Sequence, residues 1–233
     1  VDKITAIMTT IPSREKALLK VIDSIYDQVN SIRIVFNGYA QTPDWVKGMP
    51  KVISCVDPSN KYSDCAKWRI APDEGYVFSI DDDIYYPEDY VSVLIKKIEE
   101  YDRRKVVTVH GSYFKLPFLD FRKSKRCSLF SSELDRDVQV NMVGSGTLGY
   151  HTDTIKPRFS DFISPGRSDI WFSALCYKKC IPIVCIARKE GWLRAIPTEG
   201  LSIWDRTRTD RDFLNKNTEY VARYIIPYIE KKK

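Results

Sequence analysis

Short apolar, β-branched runs alternate with amphipathic segments through the first 111 residues, and this alternation constrains the fold more than any other feature. "KITAIMTT" stops at Pro12, and "SREKALLKVIDSIYDQ" then sets Ala17, Leu18, Val21, Ile22 and Ile25 at helical spacing, with Ser13 as the expected N-cap. "SIRIVFN", "PKVISCV", "YVFSI" and "KVVTVHG" read as strands. "DCAKWRIA" reads as a short helix, and "PEDYVSVLIKKIEEYD" as a longer one opening on Pro87. Strands that alternate with helices predict an open α/β sheet, largely parallel in this half, with helices on its faces. Ligands of such sheets gather outside the carboxyl ends of the strands.

Beyond Gly111 the texture changes. Residues 112–150 read as short strands and loops, "SDIWFSALCYKKC" as a helix, "IPIVCIA" as a strand and 213–229 as a closing helix. No repeat or low-complexity linker divides the chain, so the expectation is one Rossmann-like α/β domain over 1–233, a mostly parallel central sheet flanked by helices with a smaller mixed region in its second half. At 233 residues and 43% hydrophobic it can bury a substantial core. The formal charge of +6 is scattered, which favours anionic ligands without calling for nucleic acid. With no run of about 18 apolar residues and no signal peptide, neither a membrane span nor export is expected. Six cysteines without a CxxC pair, beside two histidines, predict reduced thiols in a cytoplasmic protein rather than structural zinc. An opening Val1 suggests processing or a boundary within a longer protein.

Asp81, Asp82 and Asp83 follow "VFSI" at the end of a predicted strand, where alternate side chains share a face, so Asp81 and Asp83 are expected to point together. Converging carboxylates repel unless a proton or cation lies between them, and a hard divalent ion, Mg²⁺ or Mn²⁺, suits them. The alternative is a solvated acidic turn ahead of the next helix. "GSGTLG" has GxGxxG spacing in Gly144, Gly146 and Gly149, but strand-like sequence follows where a dinucleotide loop would open a helix. His151 is a further candidate ligand, and His110 reads as a core histidine.

The acidic triplet resembles the DxD motif of GT-A glycosyltransferases. "MTTIPSREKALLKVIDSI", "KYSDCAKW", "SIDDDIYYPEDYV", "VHGSYF", "VGSGTLGY", "SDIWFSALC" and "RKEGWLRA" also fall in the order seen in bacterial α-N-acetylglucosaminyltransferases of heparosan capsule synthesis, from about Ile4 to about Ile196. The resemblance implies a nucleotide-binding half, 1–111, and an acceptor-facing half, 112–233. It implies that Thr10, Pro12 and Arg14 shape the base pocket, that Asp64 meets the uracil and that Lys67 neutralises diphosphate; the bland alternative for Lys67 is a surface ion pair. Asp81, Asp82, Gly146, Thr147 and Trp192 would complete the donor site, with Asp81 and Asp83 on the metal. Asp169 would face the reacting sugar or the acceptor hydroxyl, the alternative being a helix cap, and Arg188 would stabilise the departing diphosphate.

The resulting expectation is metal-dependent transfer of a hexosyl or N-acetylhexosaminyl unit from a UDP-sugar to a glycan hydroxyl in surface polysaccharide or glycan synthesis. Peripheral membrane association, and a place in or beside other glycosyltransferases, are compatible with it. The stereochemical outcome stays open, since the resemblance implies retention while inverting relatives keep a base where Asp169 stands. The rival readings are a sugar-nucleotide nucleotidyltransferase, which would need a glycine-rich basic loop where "TTIPSREK" has none, and a non-catalytic carbohydrate-binding module.

Overall fold

The computed structural model describes residues 2–199 and 203–231. Its first half runs β1 (Ile4–Thr10), α1 (Glu15–Ile25), β2 (Ser31–Asn37), β3 (Val52–Asp57), β4 (Tyr76–Ile80), β5 (Ile84–Tyr85), α2 (Tyr90–Glu100) and β6 (Val106–Thr108). There follow β7 (Gly111–Phe114), α3 (Phe121–Ser124), β8 (Lys125–Ser128), β9 (Val138–Val140), β10 (Met142–Val143) and β11 (Thr147–His151). The rest comprises α4 (Ser168–Lys178), β12 (Ile183–Cys185), β13 (Arg194–Ala195), α5 (Ile203–Thr209), α6 (Arg211–Tyr224) and α7 (Ile226–Glu230).

Eight strands form the central sheet in the order β3-β2-β1-β4-β11-β6-β12-β9. The first four are mutually parallel, as their continuous apolar runs predict. β11 then enters antiparallel between β4 and β6, so strands of both chain halves share one sheet. This is the expected α/β architecture, mostly parallel, with helices on the faces. Small sheets of β10-β7-β8 and β13-β5 stand beside it.

The helix spacing read in the sequence is the buried face of α1: Ala17, Leu18, Val21, Ile22 and Ile25 all pack into the core. Fully burying a Leu or Ile side chain contributes about 1.5–3 kcal/mol, enough to fix the helix against the sheet. Its N-cap is Arg14, not Ser13, because a 3-10 turn over Pro12–Arg14 precedes it. α2 begins at Tyr90, three residues after Pro87, and the Tyr90 N–H donates to the Pro87 carbonyl. The closing helix divides between Tyr224 and Ile226 because Pro227 carries no N–H for an intrahelical bond. All six cysteines are free thiols, and no helix among the described residues is long and apolar enough to cross a membrane.

Candidate active site

A cleft of about 430 Å³ opens at the carboxyl ends of β1, β2 and β4. Thr10, Arg14, Asp64, Asp81, Asp82, Asp83 and Asp169 all line it. β4 ends at Ile80, so the three aspartates occupy the turn beyond the strand rather than the strand itself. Their placement is therefore set by charge and not by the pleat. Lys67 Nζ lies 3.1 Å from Asp81 Oδ1, and Arg14 Nη1 lies 2.8 Å from Asp82 Oδ1 and 3.0 Å from Asp83 Oδ2. The buried Tyr86 hydroxyl accepts from the Asp81 N–H at 2.9 Å and donates to the Gly146 carbonyl at 2.6 Å, tying the triplet to the next loop.

Burial, followed by the charge of Asp81, raises Asp83 to about 6. Burial also holds Asp82 above the usual carboxylate range against the pull of Arg14. Asp64 is raised likewise, although its Oδ2 accepts the Ser168 N–H at 3.0 Å at the start of α4. That contact exists because Trp68, on the 3-10 helix Ser63–Ile70, stacks on Phe162 at 4.6 Å and 10° and donates to Ser168 Oγ at 3.2 Å. Asp169, the second residue of α4, does not cap its own helix. Its Oδ1 accepts the Ser145 N–H at 2.7 Å, across from the triplet.

Several expected site residues lie elsewhere. Lys67 is fully buried, and its ammonium holds the Ile80 and Ser145 carbonyls at 3.4 and 3.3 Å besides Asp81. It is neither a cleft-facing diphosphate cation nor a surface pair. The glycines of "GSGTLG" make room for protein rather than ligand. A Cβ on Gly146 would stand 2.0 Å from Asp81 Oδ2, one on Gly144 2.7 Å from His110 Cβ, and one on Gly149 2.9 Å from Leu94. Thr147 is buried behind the cleft, its hydroxyl accepting the His110 N–H at 2.8 Å. Pro12 shapes the 3-10 turn but does not line the cleft.

Arg188 is 7% exposed and turned inward, donating to the Ile186 and Leu129 carbonyls and to Cys185 Sγ. Trp192 packs on Tyr90 and donates to Asp89 Oδ1 at 2.9 Å at the N-terminus of α2. Neither touches the cleft. His110 is half-buried beside Phe130, and desolvation there lowers its imidazole to about 4. His151 pairs with Tyr76 in register, at the opposite end of β4 from Asp81, and cannot share a ligand with the triplet.

The structure also adds residues. Asn37, at the carboxyl end of β2, is 2% exposed and lines the cleft. Its Nδ2 donates to the Ser63 carbonyl at 2.9 Å, while its Oδ1 is buried without a partner. A polar residue ending a parallel strand was the signal that could have found it. Ser145, Arg167, Phe213 and Asn217 form much of the far wall. Arg167 stacks on Phe213 at 4.2 Å and donates to Asn217 Oδ1 at 2.7 Å, which brings α6 over the cleft; nothing in the sequence of that helix announces this.

Among the described residues the cleft is lined by five carboxylates, Asp64, Asp81, Asp82, Asp83 and Asp169, against three cations, Arg14, Lys125 and Arg167. No group of three or more His, Cys, Asp or Glu side chains among them is arranged to hold a metal ion alone. Two carboxylates that repel, one of them raised to about 6, still fit a hard divalent cation whose remaining ligands are phosphate oxygens and water.

No protein-family model matches the chain, and no curated protein matches it. Among solved structures, it is similar to the mannosyltransferase PcManGT from Pyrobaculum calidifontis in complex with GDP-Man and Mn²⁺. The two are 14% identical with a TM-score of 0.54 over 89% of this chain and 61% of that one, so this chain spans less than two thirds of that protein's length. The fold is thus a Rossmann-like α/β fold shared with that mannosyltransferase.

Proposed function

We propose that the chain is a glycosyltransferase, dependent on a divalent cation, that moves a hexosyl or N-acetylhexosaminyl unit from a UDP-sugar to a hydroxyl of a glycan acceptor. One observation carries the reading: a cleft at the carboxyl ends of the strands holds five carboxylates against three cations. A nucleotide diphosphate entering it requires added positive charge, which Mn²⁺ or Mg²⁺ supplies along with charge withdrawal from the leaving diphosphate. Asp81 and Asp83 are the residues to hold that cation. Thr10, Asn37 and Asp64 border the space for the base, where the fixed Asn37 amide offers an acceptor to an imino N–H. Asp169, held by the Ser145 N–H, faces the reacting sugar or the acceptor hydroxyl, which enters beneath α6 and Arg167.

The order of motifs resembling the heparosan α-N-acetylglucosaminyltransferases supports UDP-linked donors and a role in surface polysaccharide synthesis at the cytoplasmic side, the chain acting as one domain over 1–233 alone or within a larger enzyme. The structurally similar mannosyltransferase holds GDP-Man, so GDP-mannose belongs in any donor panel. Calorimetric titration with UDP and with GDP, each with and without Mn²⁺, tests the class. Strongly metal-coupled affinity is expected for UDP, and binding indifferent to Mn²⁺ would remove the reading. Hydrolysis of a panel of UDP-sugars and GDP-mannose then identifies the donor.

A further inference from the structure

The three acids of the triplet share two internal cations of opposite character. Lys67 is fully buried and locked by Asp81 and two carbonyls, so it cannot leave. Arg14 projects from the N-cap of α1 with its side chain 19% exposed, and reaches both Asp82 and Asp83 through one nitrogen, Nη1. A guanidinium has five N–H donors, so the other nitrogens are available to a second ligand. Asp82 is almost wholly enclosed at 5% side-chain exposure, whereas Asp83, at 27%, is open to the cleft. The unpartnered Oδ1 of Asn37 marks this same cleft as built to receive a ligand.

We propose that Arg14 is an exchangeable counter-ion: it neutralises Asp82 and Asp83 while the cleft is empty, cedes Asp83 to an arriving divalent cation, and offers its freed N–H groups to the donor diphosphate while staying anchored on Asp82. The proposal rests on the metal-dependent reading above. A guanidinium and a divalent cation compete for one carboxylate because their charges repel. Removing Arg14 therefore opens Asp83 to the cation, yet takes a cation away from the diphosphate. The cation and the nucleotide accordingly strengthen each other's binding, by the same factor in either order. Arg14 is thus a positioning residue whose loss has opposite effects on two ligands.

Calorimetric titration with Mn²⁺ alone, with UDP alone and with each in the presence of the other tests this on wild type, Arg14→Gln, Arg14→Lys and Asp83→Asn, with circular dichroism to verify folding. Arg14→Gln is expected to bind Mn²⁺ alone about 3–10-fold more tightly than wild type, and UDP in the presence of Mn²⁺ about tenfold more weakly, with the mutual enhancement falling toward unity. Arg14→Lys, which keeps the charge on a single nitrogen but lacks the further N–H groups that would meet the diphosphate, falls between in each measurement and serves if the Gln variant does not fold. Asp83→Asn loses the Mn²⁺ site. Unchanged or weaker Mn²⁺ binding by Arg14→Gln, with wild type binding the ion, overturns the exchange alone. Wild type that binds no Mn²⁺ with or without UDP overturns the metal-dependent reading and the exchange together.

Discussion

The two ends of β4 carry charged clusters of similar density and opposite character. At the amino end, Arg103 reaches Glu99 at 2.7 Å, Asp2 at 2.9 Å and Asp153 at 3.3 Å, beside the buried His151 and the Tyr76 hydroxyl. The Arg103 hydrogen bond holds the Asp2 carboxyl below its usual range, and bonds from Tyr76 and Arg103 do the same for Glu99. At the carboxyl end, burial holds Asp64, Asp82 and Asp83 above that range despite Arg14 and Lys67. Acids pulled down are content in the folded protein as it stands. Acids pushed up are short of positive charge, and that deficit is what separates a site from a structural network.

Four substitutions or titrations would break or sharpen this contrast. Asp83→Ala at the carboxyl end has the largest expected effect: transfer is abolished along with the Mn²⁺ dependence of UDP binding, while the melting temperature holds or rises because a repelling charge has gone. Near-normal transfer by that variant would mean the triplet is only an acidic turn.

Asp169→Asn comes next. Asn keeps an Oδ1 to accept the Ser145 N–H but removes the charge, so activity is expected to fall about 10²–10⁴-fold with little change in melting temperature. If the residue only holds the Ser145 loop, the Asn variant stays active and the Ala variant loses both activity and stability.

Arg103→Met at the amino end is expected to lower the melting temperature by a few degrees while leaving turnover within about twofold, since exposed ion pairs contribute little individually and act here as a network. A large loss of turnover would contradict a purely structural amino end.

The smallest effect is one of sign with pH. Asp83 has a folded pKa near 6 against 3.8 for an ordinary aspartate, so the metal-free protein loses stability from this group as pH rises from about 4 to about 6. Asp2 and Glu99 run the other way: their contribution is present above the ordinary values of 3.8 and 4.5 and is lost as pH falls below them. Melting curves without metal should therefore show Asp83→Asn gaining over wild type at pH 7 but not at pH 4. Arg103→Met should lose most at pH 7 and least in acid. Parallel profiles for the two variants would erase the distinction between the clusters.

Much of the sheet was legible because a buried parallel strand is written as a continuous apolar run: "SIRIVFN" is β2 to the residue. The insertion of β11 between β4 and β6 was not, since neighbours in a sheet need not be neighbours in sequence. The acidic triplet was readable because charge at a strand end is conspicuous, whereas Asp64 and Asp169, on helices, were reached only through the resemblance. The cations were harder. Lys67 looks like any helical lysine until its buried partners Ile80, Asp81 and Ser145 are seen, and Arg188 like any cation until its carbonyl partners are seen. Gly146 advertised a close approach, but the sequence could not say that the approaching group is Asp81 rather than a ligand. Phe213 and Asn217 carried no local sign, because an amphipathic helix announces its apolar face and not which opening it covers.

One residue ties the two sides of the cleft together. The Ser145 N–H holds Asp169, while the Ser145 carbonyl receives Lys67 at 3.3 Å and Ser79 Oγ at 2.5 Å. Lys67 in turn grips Asp81. The N–H belongs to the Gly144–Ser145 peptide plane and the carbonyl to the Ser145–Gly146 plane, so the two planes meet at the Ser145 Cα, with Asp169 held by one and the ammonium under Asp81 by the other. Gly146 adds to the link, since its missing side chain lets the Asp81 carboxylate rest on the backbone. The Asp169 side and the Asp81 side of the cleft therefore hang on a single residue, and a substitution that displaces the Ser145 backbone is felt at both.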